Sequence, residues 1–416
     1  IPVGSEFSRV FAEVIFQRID INIEKILEEE YFYVNDVDYR ILRYVDDYIA
    51  FGMTEEICAI VSNTISDCLS EYNLFINSDK IIQLERPFCT DKSKTIISLS
   101  KALEYFESTS FSKEHLSERK YFPSRIYKKH NYMNKFMNDV RLVALSSNKN
   151  GYSEISSYLV SFFSKRIELL IKDYFDYLEA GGRSGVFIGN AEVMVELMFF
   201  YYKVHPSVSS SNRIAKTVLS LIEFLEADVT LSKSAPEIKE LITRLITSFK
   251  FDQNKNNKRK GYISIERLNV VLSTSEFGEC FRLPECYFHD LINSNGRLNY
   301  FEVVSLLYYF KNHREYNDLK RQVVGSAIER LKSFDSIKSD SELVHMILDL
   351  VSCPYLSEND RMHLLNMIYD GVNDPKPTEQ QLRSHLLELN DTYWFVNWKN
   401  LNIKQLIERN ELKTQY

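Results

Sequence analysis

The sequence YRILRYVDDYIAF, residues 39–51, places two adjacent aspartates, Asp46 and Asp47, between two β-prone runs. Aromatic and β-branched residues favour strands, and a short polar interruption between two such runs is typical of a turn. Residues 31–34, which read YFYV, are β-prone as well. This stretch therefore predicts a β-hairpin that carries both carboxylates at its turn.

Helical periodicity is found on both sides of this hairpin. Residues 5–28 and 54–73 carry apolar side chains at the spacing of one helix face. A second pair of short strands is expected at residues 74–77 and 80–84. Helices combined with a small sheet predict an α+β domain over residues 1–98.

The sequence after residue 98 changes character, because the strand signal disappears. A long series of amphipathic segments follows, with short polar loops between them. The segments cover residues 99–108, 132–146, 154–178, 190–204, 212–226, 235–250, 264–274, 300–312, 317–334, 340–352, 357–370 and 378–390. We therefore expect residues 99–416 to form a large all-α domain of helical-repeat-like build, although the sequence has no sharp fixed period.

The composition is that of a globular protein and excludes several classes. The chain has 416 residues, 44% of them hydrophobic, and its 27 Phe and 26 Tyr exclude a disordered polymer. The longest apolar run, Met194–Val204, is too short to span a membrane, so we expect no membrane partner. Six cysteines without a CxxC pair are typical of reduced thiols in the cytoplasm. The net charge of −7 argues against general affinity for nucleic acid.

The aspartate pair has two interpretations. An exposed hairpin turn tolerates both carboxylates because water solvates them. Between two apolar strands, however, adjacent carboxylates repel each other, and a divalent cation relieves that repulsion. Carboxylate oxygens suit Mg²⁺, which keeps several water ligands and also binds substrate phosphates. Two such ions can activate a 3′-hydroxyl group and stabilise a pyrophosphate leaving group.

Three motifs in order resemble the palm of reverse transcriptases. Residues 44–47, YVDD, resemble the YxDD box of that family. Residues 1–5, IPVGS, precede a long helix and resemble motif B, and residues 73–80, NLFINSDK, resemble motif D with Asn73 in place of the usual glycine. A palm followed by some 300 residues of helices resembles the bacterial defence group, the abortive-infection (AbiK-like) and unknown-group reverse transcriptases. The fold class implied is an α+β polymerase palm, partial here, followed by the helical domain.

The resemblance assigns the metal ligands. It implies that Asp46 binds metal and that Asp47 is its acidic neighbour, with two Mg²⁺ ions and dNTP substrates. In the family a further aspartate, from motif A, precedes motif B. Because residues 1–5 already resemble motif B, we expect that aspartate and the fingers to precede the given sequence.

The resemblance also assigns substrate contacts. It implies that Tyr44 packs near the primer end and that Gly4 and Ser5 flank the nucleotide pocket. Lys80 is implied to be catalytic, lying near the incoming triphosphate and protonating the pyrophosphate, with an ordinary surface lysine as the alternative.

The function implied is DNA synthesis in anti-phage defence in the bacterial cytoplasm. Synthesis is RNA-directed or template-independent in that group; some members prime on a protein tyrosine, others copy a partner noncoding RNA, and many form homo-oligomers. One alternative is a non-catalytic helical scaffold whose degenerate palm binds nucleic acid. Another is a retroelement reverse transcriptase that copies its own RNA.

A basic segment with interleaved aromatic residues, 113–141, follows the predicted palm. Its candidate nucleic-acid contacts are Lys120, Arg125, Lys128 and Lys129, and its aromatic residues are Tyr121, Phe122, Tyr127 and Tyr132. Basic side chains neutralise phosphates and aromatic rings stack on bases. A solvated basic face is the alternative interpretation.

Overall fold

The computed structural model divides the chain into two compact units, Ile1–Phe88 (unit 1) and Cys89–Tyr416 (unit 2). Each unit has its own cluster of buried apolar side chains. Residue 98, the predicted domain boundary, lies inside a helix of unit 2. The structure describes residues 6–77, 81–84, 86, 91–146, 151–248, 265–294, 298–331, 337, 340–372, 377–389 and 392–413.

Unit 1 combines two helices with one hairpin. Its elements are helix α1 (Glu6–Tyr31), strands β1 (Tyr39–Tyr44) and β2 (Asp47–Gly52), and helix α2 (Glu55–Ser70). The strands pair antiparallel with Tyr44 opposite Asp47, so the predicted hairpin is confirmed. A Cβ atom at Gly52 would lie 2.8 Å from the Cys58 sulfur. Glycine therefore lets the end of β2 approach α2 closely.

One face of the hairpin packs into the core of unit 1. Side chains alternate between the two faces of a strand, and Tyr39, Ile41 and Arg43 lie on the less exposed face together with Tyr48 and Ala50. The fully buried members of this core come from α1, β1 and α2. They are Ile19, Ile23, Leu27, Tyr39, Val61, Ile65, Cys68 and Leu69.

Residues 31–34, although β-prone in sequence, form no strand. Helix α1 continues to Tyr31, and Phe32 then adopts a left-handed conformation with φ +58°. The Tyr33 amide donates a hydrogen bond to the Leu27 carbonyl at 3.0 Å, which closes the helix end. A β-prone tetrapeptide is thus used to end a helix.

The second strand pair is also wrong where the structure describes it. Residues 74–77 and 81–84 form no strand, and the side chains of Phe75 and Ile82 are 80% and 74% exposed. An apolar segment becomes a strand only with a partner to pair with and a surface to pack on. The described part of unit 1 therefore holds a single two-stranded sheet, and a complete palm fold is not shown.

Unit 2 is built from helices. They are α3 (Asp91–Ser110), α4 (Lys113–Ser117), α5 (Lys129–Ser146), α6 (Gly151–Lys172), α7 (Tyr174–Glu179), α8 (Ser184–Val204), α9 (Val208–Ala227), α10 (Ala235–Thr247), α11 (Ile265–Ser273), α12 (Glu285–Ser294), α13 (Tyr300–Phe310), α14 (Asn317–Arg330), α15 (Ser341–Ser352), α16 (Glu358–Val372), α17 (Glu379–Leu389) and α18 (Ile403–Lys413). The predicted all-α character is confirmed for the residues described, whereas a repeat architecture stays a prediction.

Helical periodicity located most of these helices. The segments predicted at 212–226 and 340–352, for example, are α9 and α15. Three helices, α4, α12 and α18, were not predicted; α4 has only five residues, too few to establish a helical period. In the part of the chain that is described, no helix is both long and apolar enough to cross a membrane.

Aromatic side chains fill the core at the start of unit 2. Phe106 is fully buried, and its ring contacts four others at centroid distances of 5.1–6.0 Å. Those rings belong to Tyr132, Phe136, Phe162 and Phe163. Edge-to-face pairs such as Phe106 with Phe163 add to the stabilisation from burial alone.

A buried carboxylate holds the segment that precedes α18. Asp349 is fully buried, and one of its oxygens accepts hydrogen bonds from the amides of Phe395 and Val396, both at 3.1 Å. Its other oxygen accepts from the Tyr300 hydroxyl at 2.6 Å. The Trp398 indole donates to the Asp349 carbonyl at 3.1 Å. This residue therefore joins α13, α15 and the segment that follows α17.

Candidate functional site

The aspartate pair lies at the tip of the hairpin. Since Tyr44 pairs with Asp47, the two-residue turn consists of Val45 and Asp46. Val45 is in the left-handed region with φ +57°. Tight hairpin turns place glycine, asparagine or aspartate at such a position, and a β-branched residue there costs about 1–3 kcal/mol. The tip is thus held in a conformation that its own sequence disfavours.

Both carboxylates are open to solvent. Asp46 and Asp47 are exposed, and the neighbouring side chain of Tyr44 is 75% exposed. Tyr44 and Asp47 lie opposite each other on the outer face of the hairpin, because side chains alternate along each strand. A substrate can therefore reach both carboxylates and the tyrosine ring from outside unit 1.

The base of the turn is tied to helix α1. Arg43 and Tyr48 are paired across the strands and lie on the inner face. Arg43 makes a bidentate ion pair with Glu13 at 2.8 and 3.0 Å and donates to Asp20 at 2.9 Å. The Tyr48 hydroxyl donates to the other oxygen of Asp20 at 2.8 Å.

The electrostatics of this base favour a charged guanidinium and a neutral phenol. The hydrogen bond from Arg43 lowers the pKa of the Glu13 carboxyl, and the same bond raises the pKa of Arg43. Burial raises the pKa of Tyr48, and its hydrogen bond to Asp20 acts in the same direction.

Sequence reasoning did not identify the four residues that support the turn, namely Glu13, Asp20, Arg43 and Tyr48. The spacing of Glu13 and Asp20, seven residues apart on α1, places both carboxylates on one helix face two turns apart. Their partner Arg43 lies directly before the YVDD box. The sequence shows this spacing and the position of Arg43, but only the structure shows that α1 and the hairpin pack so that these side chains meet.

The donor set at the turn suits one magnesium ion. Asp46 and Asp47 supply hard carboxylate oxygens, and Mg²⁺ is commonly held by one or two carboxylates together with water and substrate phosphates. Among the residues that the structure describes, no three His, Cys, Asp or Glu side chains are grouped as ligands for a single ion. A second ion at this turn needs a further ligand besides these two.

Three of the predicted site residues lie outside the described residues, namely Gly4, Ser5 and Lys80. Their assignment to the nucleotide pocket stays a prediction. Asn73, at the start of the motif D resemblance, is described and has φ +56°. Glycine and asparagine both tolerate this left-handed conformation, so asparagine is a conservative replacement for the usual glycine there.

The candidate nucleic-acid contacts in unit 2 divide into two pairs. Lys120 forms an ion pair with Asp176 at 3.0 Å, and Lys129 forms one with Glu192. Arg125 and Lys128 are exposed, and the Arg125 guanidinium lies 5.2 Å from the centre of the Tyr127 ring. Among the described ion pairs, acidic neighbours neutralise Lys120 and Lys129 but not Arg125 and Lys128.

The aromatic residues of this segment are mostly structural. Phe122 and Tyr132 are each 5% exposed, and the Tyr132 hydroxyl lies 2.8 Å from that of Ser110. The expectation that they stack on bases is wrong, because both rings are part of the core of unit 2. Tyr127, by contrast, is 73% exposed. The interleaved pattern thus mixes core residues with one surface ring.

Comparisons with protein-family models, with curated proteins and with solved structures find no match for this chain. The functional argument therefore depends on the residues and geometry given above.

Proposed function

We propose that this chain is part of a reverse-transcriptase-like nucleotidyltransferase that synthesises DNA from dNTPs. The observation that carries the proposal is the exposed Asp46–Asp47 pair on a hairpin tip whose base is tied to α1 by Arg43. The two carboxylates are accessible to a metal ion, and the bonds from Arg43 hold the turn that carries them, as a preorganised metal site requires.

Asp46 and Asp47 would hold magnesium, which when bound supplies charge stabilisation at the transferring phosphate. Tyr44, beside Asp47 on the exposed face, would contact the primer end or the incoming nucleotide. A further carboxylate is required for two-metal chemistry, and the family resemblance assigns it to motif A. The protein would act in the bacterial cytoplasm, in anti-phage defence.

Unit 2 would contact nucleic acid through the patch formed by Arg125, Tyr127 and Lys128. The patch combines two exposed cationic side chains with one exposed ring, and that combination binds single strands with little sequence preference. Its ligand would be the DNA product or a noncoding RNA template. Assembly into homo-oligomers belongs to the same proposal and is supported by the resemblance alone.

The test is nucleotide incorporation by the full protein with Mg²⁺ and labelled dNTPs, resolved on a denaturing gel. Asp46→Asn should lose incorporation. Asp36→Asn is the matched control, because Asp36 is an exposed aspartate of unit 1 at φ +62°, a conformation that asparagine tolerates. Label that migrates with the protein would indicate protein priming, and sensitivity to RNase would indicate a copurified RNA template.

The scaffold hypothesis is the second candidate, and the same exposed patch in unit 2 favours it. That patch would bind nucleic acid whether or not the turn is catalytic. Asp46→Asn separates the two functions. A scaffold keeps both nucleic-acid binding and phage protection in this variant, whereas an enzyme keeps binding and loses synthesis and protection together.

A further inference from the structure

We infer that Arg43 is a positioning residue that fixes the conformation of the Val45–Asp46 turn, beside the Asp46–Asp47 pair, by holding the Val45 carbonyl while bound to two carboxylates of α1. This inference rests on the proposed function, because it concerns the same turn. It assigns Arg43 no contact with substrate or metal.

The contacts of Arg43 account for most of its donors. Nη1 donates to the Val45 carbonyl at 2.8 Å and to Glu13 at 3.0 Å. Nη2 donates to the second oxygen of Glu13, and Nε donates to Asp20. Four of the five N–H groups of a guanidinium are thus used. The Arg43 side chain is 9% exposed and its bonds to Glu13 and Asp20 are partly buried, whereas its bond to the Val45 carbonyl lies at the surface.

The bond to Val45 explains how a disfavoured turn is maintained. Val45 has φ +57°, and a β-branched residue leaves that region unless surrounding contacts hold it. The carbonyl of Val45 accepts its hydrogen bond from a group that is itself fixed to α1. The turn is therefore fixed through Arg43 to the 26-residue helix α1.

Two further contacts anchor the base from both strands. The Arg43 guanidinium lies 5.1 Å from the centre of the Phe16 ring of α1, and the Tyr48 hydroxyl on β2 shares Asp20 with Arg43. Glu13, Phe16 and Asp20 form one stripe of α1. Lysine cannot reproduce this arrangement, because its ammonium group lacks the planar fork that bonds a carboxylate and a carbonyl at once.

The inference predicts a specific kinetic signature for Arg43→Lys in the full protein. The rate constant of incorporation should fall, and the Mg²⁺ concentration at half-maximal rate should rise, each by about 10- to 100-fold. The KM for dNTP should stay within about twofold, because Arg43 contacts no substrate. Arg40→Lys is the matched control. Arg40 lies on the same strand and forms an exposed ion pair with Asp36 at 3.4 Å.

A second measurement does not depend on activity. Amide hydrogen exchange of residues 44–48 should be about tenfold faster in Arg43→Lys than in the parent and in Arg40→Lys, as expected when a hydrogen bond from a charged group is lost. Equal exchange in all three proteins would overturn the inference. So would a Mg²⁺ requirement and rate in Arg43→Lys that match those of Arg40→Lys.

The two proposals fail in different ways. An inactive parent protein would count against the proposed function, and the exchange measurement would still decide whether Arg43 holds the turn. If Arg43→Lys does not fold, Glu13→Gln replaces it, because this variant removes the charge and one of the two bonds that hold the Arg43 guanidinium to α1. It should speed exchange at residues 44–48 by a smaller factor, and unchanged exchange would contradict the inference.

Discussion

Units 1 and 2 differ in how completely they cover their apolar side chains. More than half of the large apolar side chains that are exposed in the described residues belong to unit 1, which has about a fifth of the chain. In unit 2 a continuous buried cluster extends from α3 to α18. Unit 2 therefore buries its apolar residues by itself, whereas unit 1 displays many of them.

The outer face of the hairpin shows this contrast most clearly. Leu42 lies opposite Ile49, and the two side chains are 45% and 53% exposed, with Phe51 on the same face at 38%. Residues 48–51 read YIAF and do not alternate between apolar and polar. Near-continuous apolar strands are typical of sheets that are covered on both faces. The strands of unit 1 thus have the apolar sequence of a sheet that is covered on both faces. Among the described residues, only one face of the hairpin is packed against other elements.

The largest expected effect concerns the closed core of unit 2. Phe106→Ala should lower the free energy of unfolding of unit 2 by about 3–5 kcal/mol, because it leaves a cavity among four rings. Denaturant unfolding followed by hydrogen exchange in both units would measure it. Phe175→Ala is the control, since this phenylalanine is 58% exposed and should cost far less. Equal losses of unfolding free energy in the two variants would contradict the view that the closed core stabilises unit 2.

The next effect concerns the polar anchor of unit 2. Asp349→Ala leaves the Tyr300 hydroxyl and the amides of Phe395 and Val396 without their acceptor, and an unsatisfied buried donor costs about 1–3 kcal/mol. Residues 392–413 should become sensitive to proteolysis. In Asp318→Ala, which removes a carboxylate that is 69% exposed, this segment should stay resistant.

A smaller effect tests the open face of unit 1. Replacing Leu42 and Ile49 with threonine should change the free energy of unfolding by less than about 1 kcal/mol, because both side chains are already partly in water. The same double variant should bind less of a dye that detects exposed apolar surface. Leu142→Thr, at an exposed position of unit 2, should leave dye binding nearly unchanged. No decrease in the double variant would show that the outer face is not an apolar surface.

The smallest expected effect is the pH dependence of the stability that the ion pair between Arg330 and Glu342 gives to unit 2. The hydrogen bond from Arg330 lowers the pKa of Glu342 below 4.5. A carboxylate with a lowered folded pKa stabilises the fold above pH 4.5, and this contribution is lost as the pH falls through the lowered value. Because the carboxylate is 38% exposed, the loss should not exceed about 1 kcal/mol.

Unfolding curves at pH 7 and pH 3 measure this effect. Glu342→Gln should show a smaller decrease in stability between the two pH values than the parent. Glu379→Gln, whose carboxylate is 71% exposed, should keep the pH dependence of the parent. An unchanged pH dependence in Glu342→Gln would contradict the expectation.

The same contrast explains which predictions from sequence succeeded. Most helices of unit 2 were located because each of them buries one face in a core formed by its neighbours, so its period is visible in the sequence. The hairpin was located because two polar residues interrupt a β-prone run. Residues 74–77 and 81–84 were misjudged, since their apolar pattern has no partner among the described residues.

Prediction of the candidate site was similarly uneven. The YVDD box identified Asp46 and Asp47, and the structure places both at an exposed tip. The support from Glu13 and Asp20 was not predicted, because it depends on tertiary packing between α1 and the hairpin. Burial separated Tyr127 from Phe122 and Tyr132, which residue type alone cannot do.

Exchange of the metal ligand tests the central claim most directly. Asp46→Cys replaces a hard oxygen donor with a soft sulfur, which binds Mg²⁺ poorly and Mn²⁺ or Cd²⁺ better. With Mg²⁺ the variant should incorporate labelled dNTP at least about a hundredfold more slowly than the parent, and Mn²⁺ or Cd²⁺ should restore part of that rate. Asp318→Cys, at a helix position whose carboxylate is 69% exposed, should behave like the parent with every ion. Equal rates for Asp46→Cys and the parent in Mg²⁺ would contradict the account, because Asp46 would then not be a ligand of the catalytic metal.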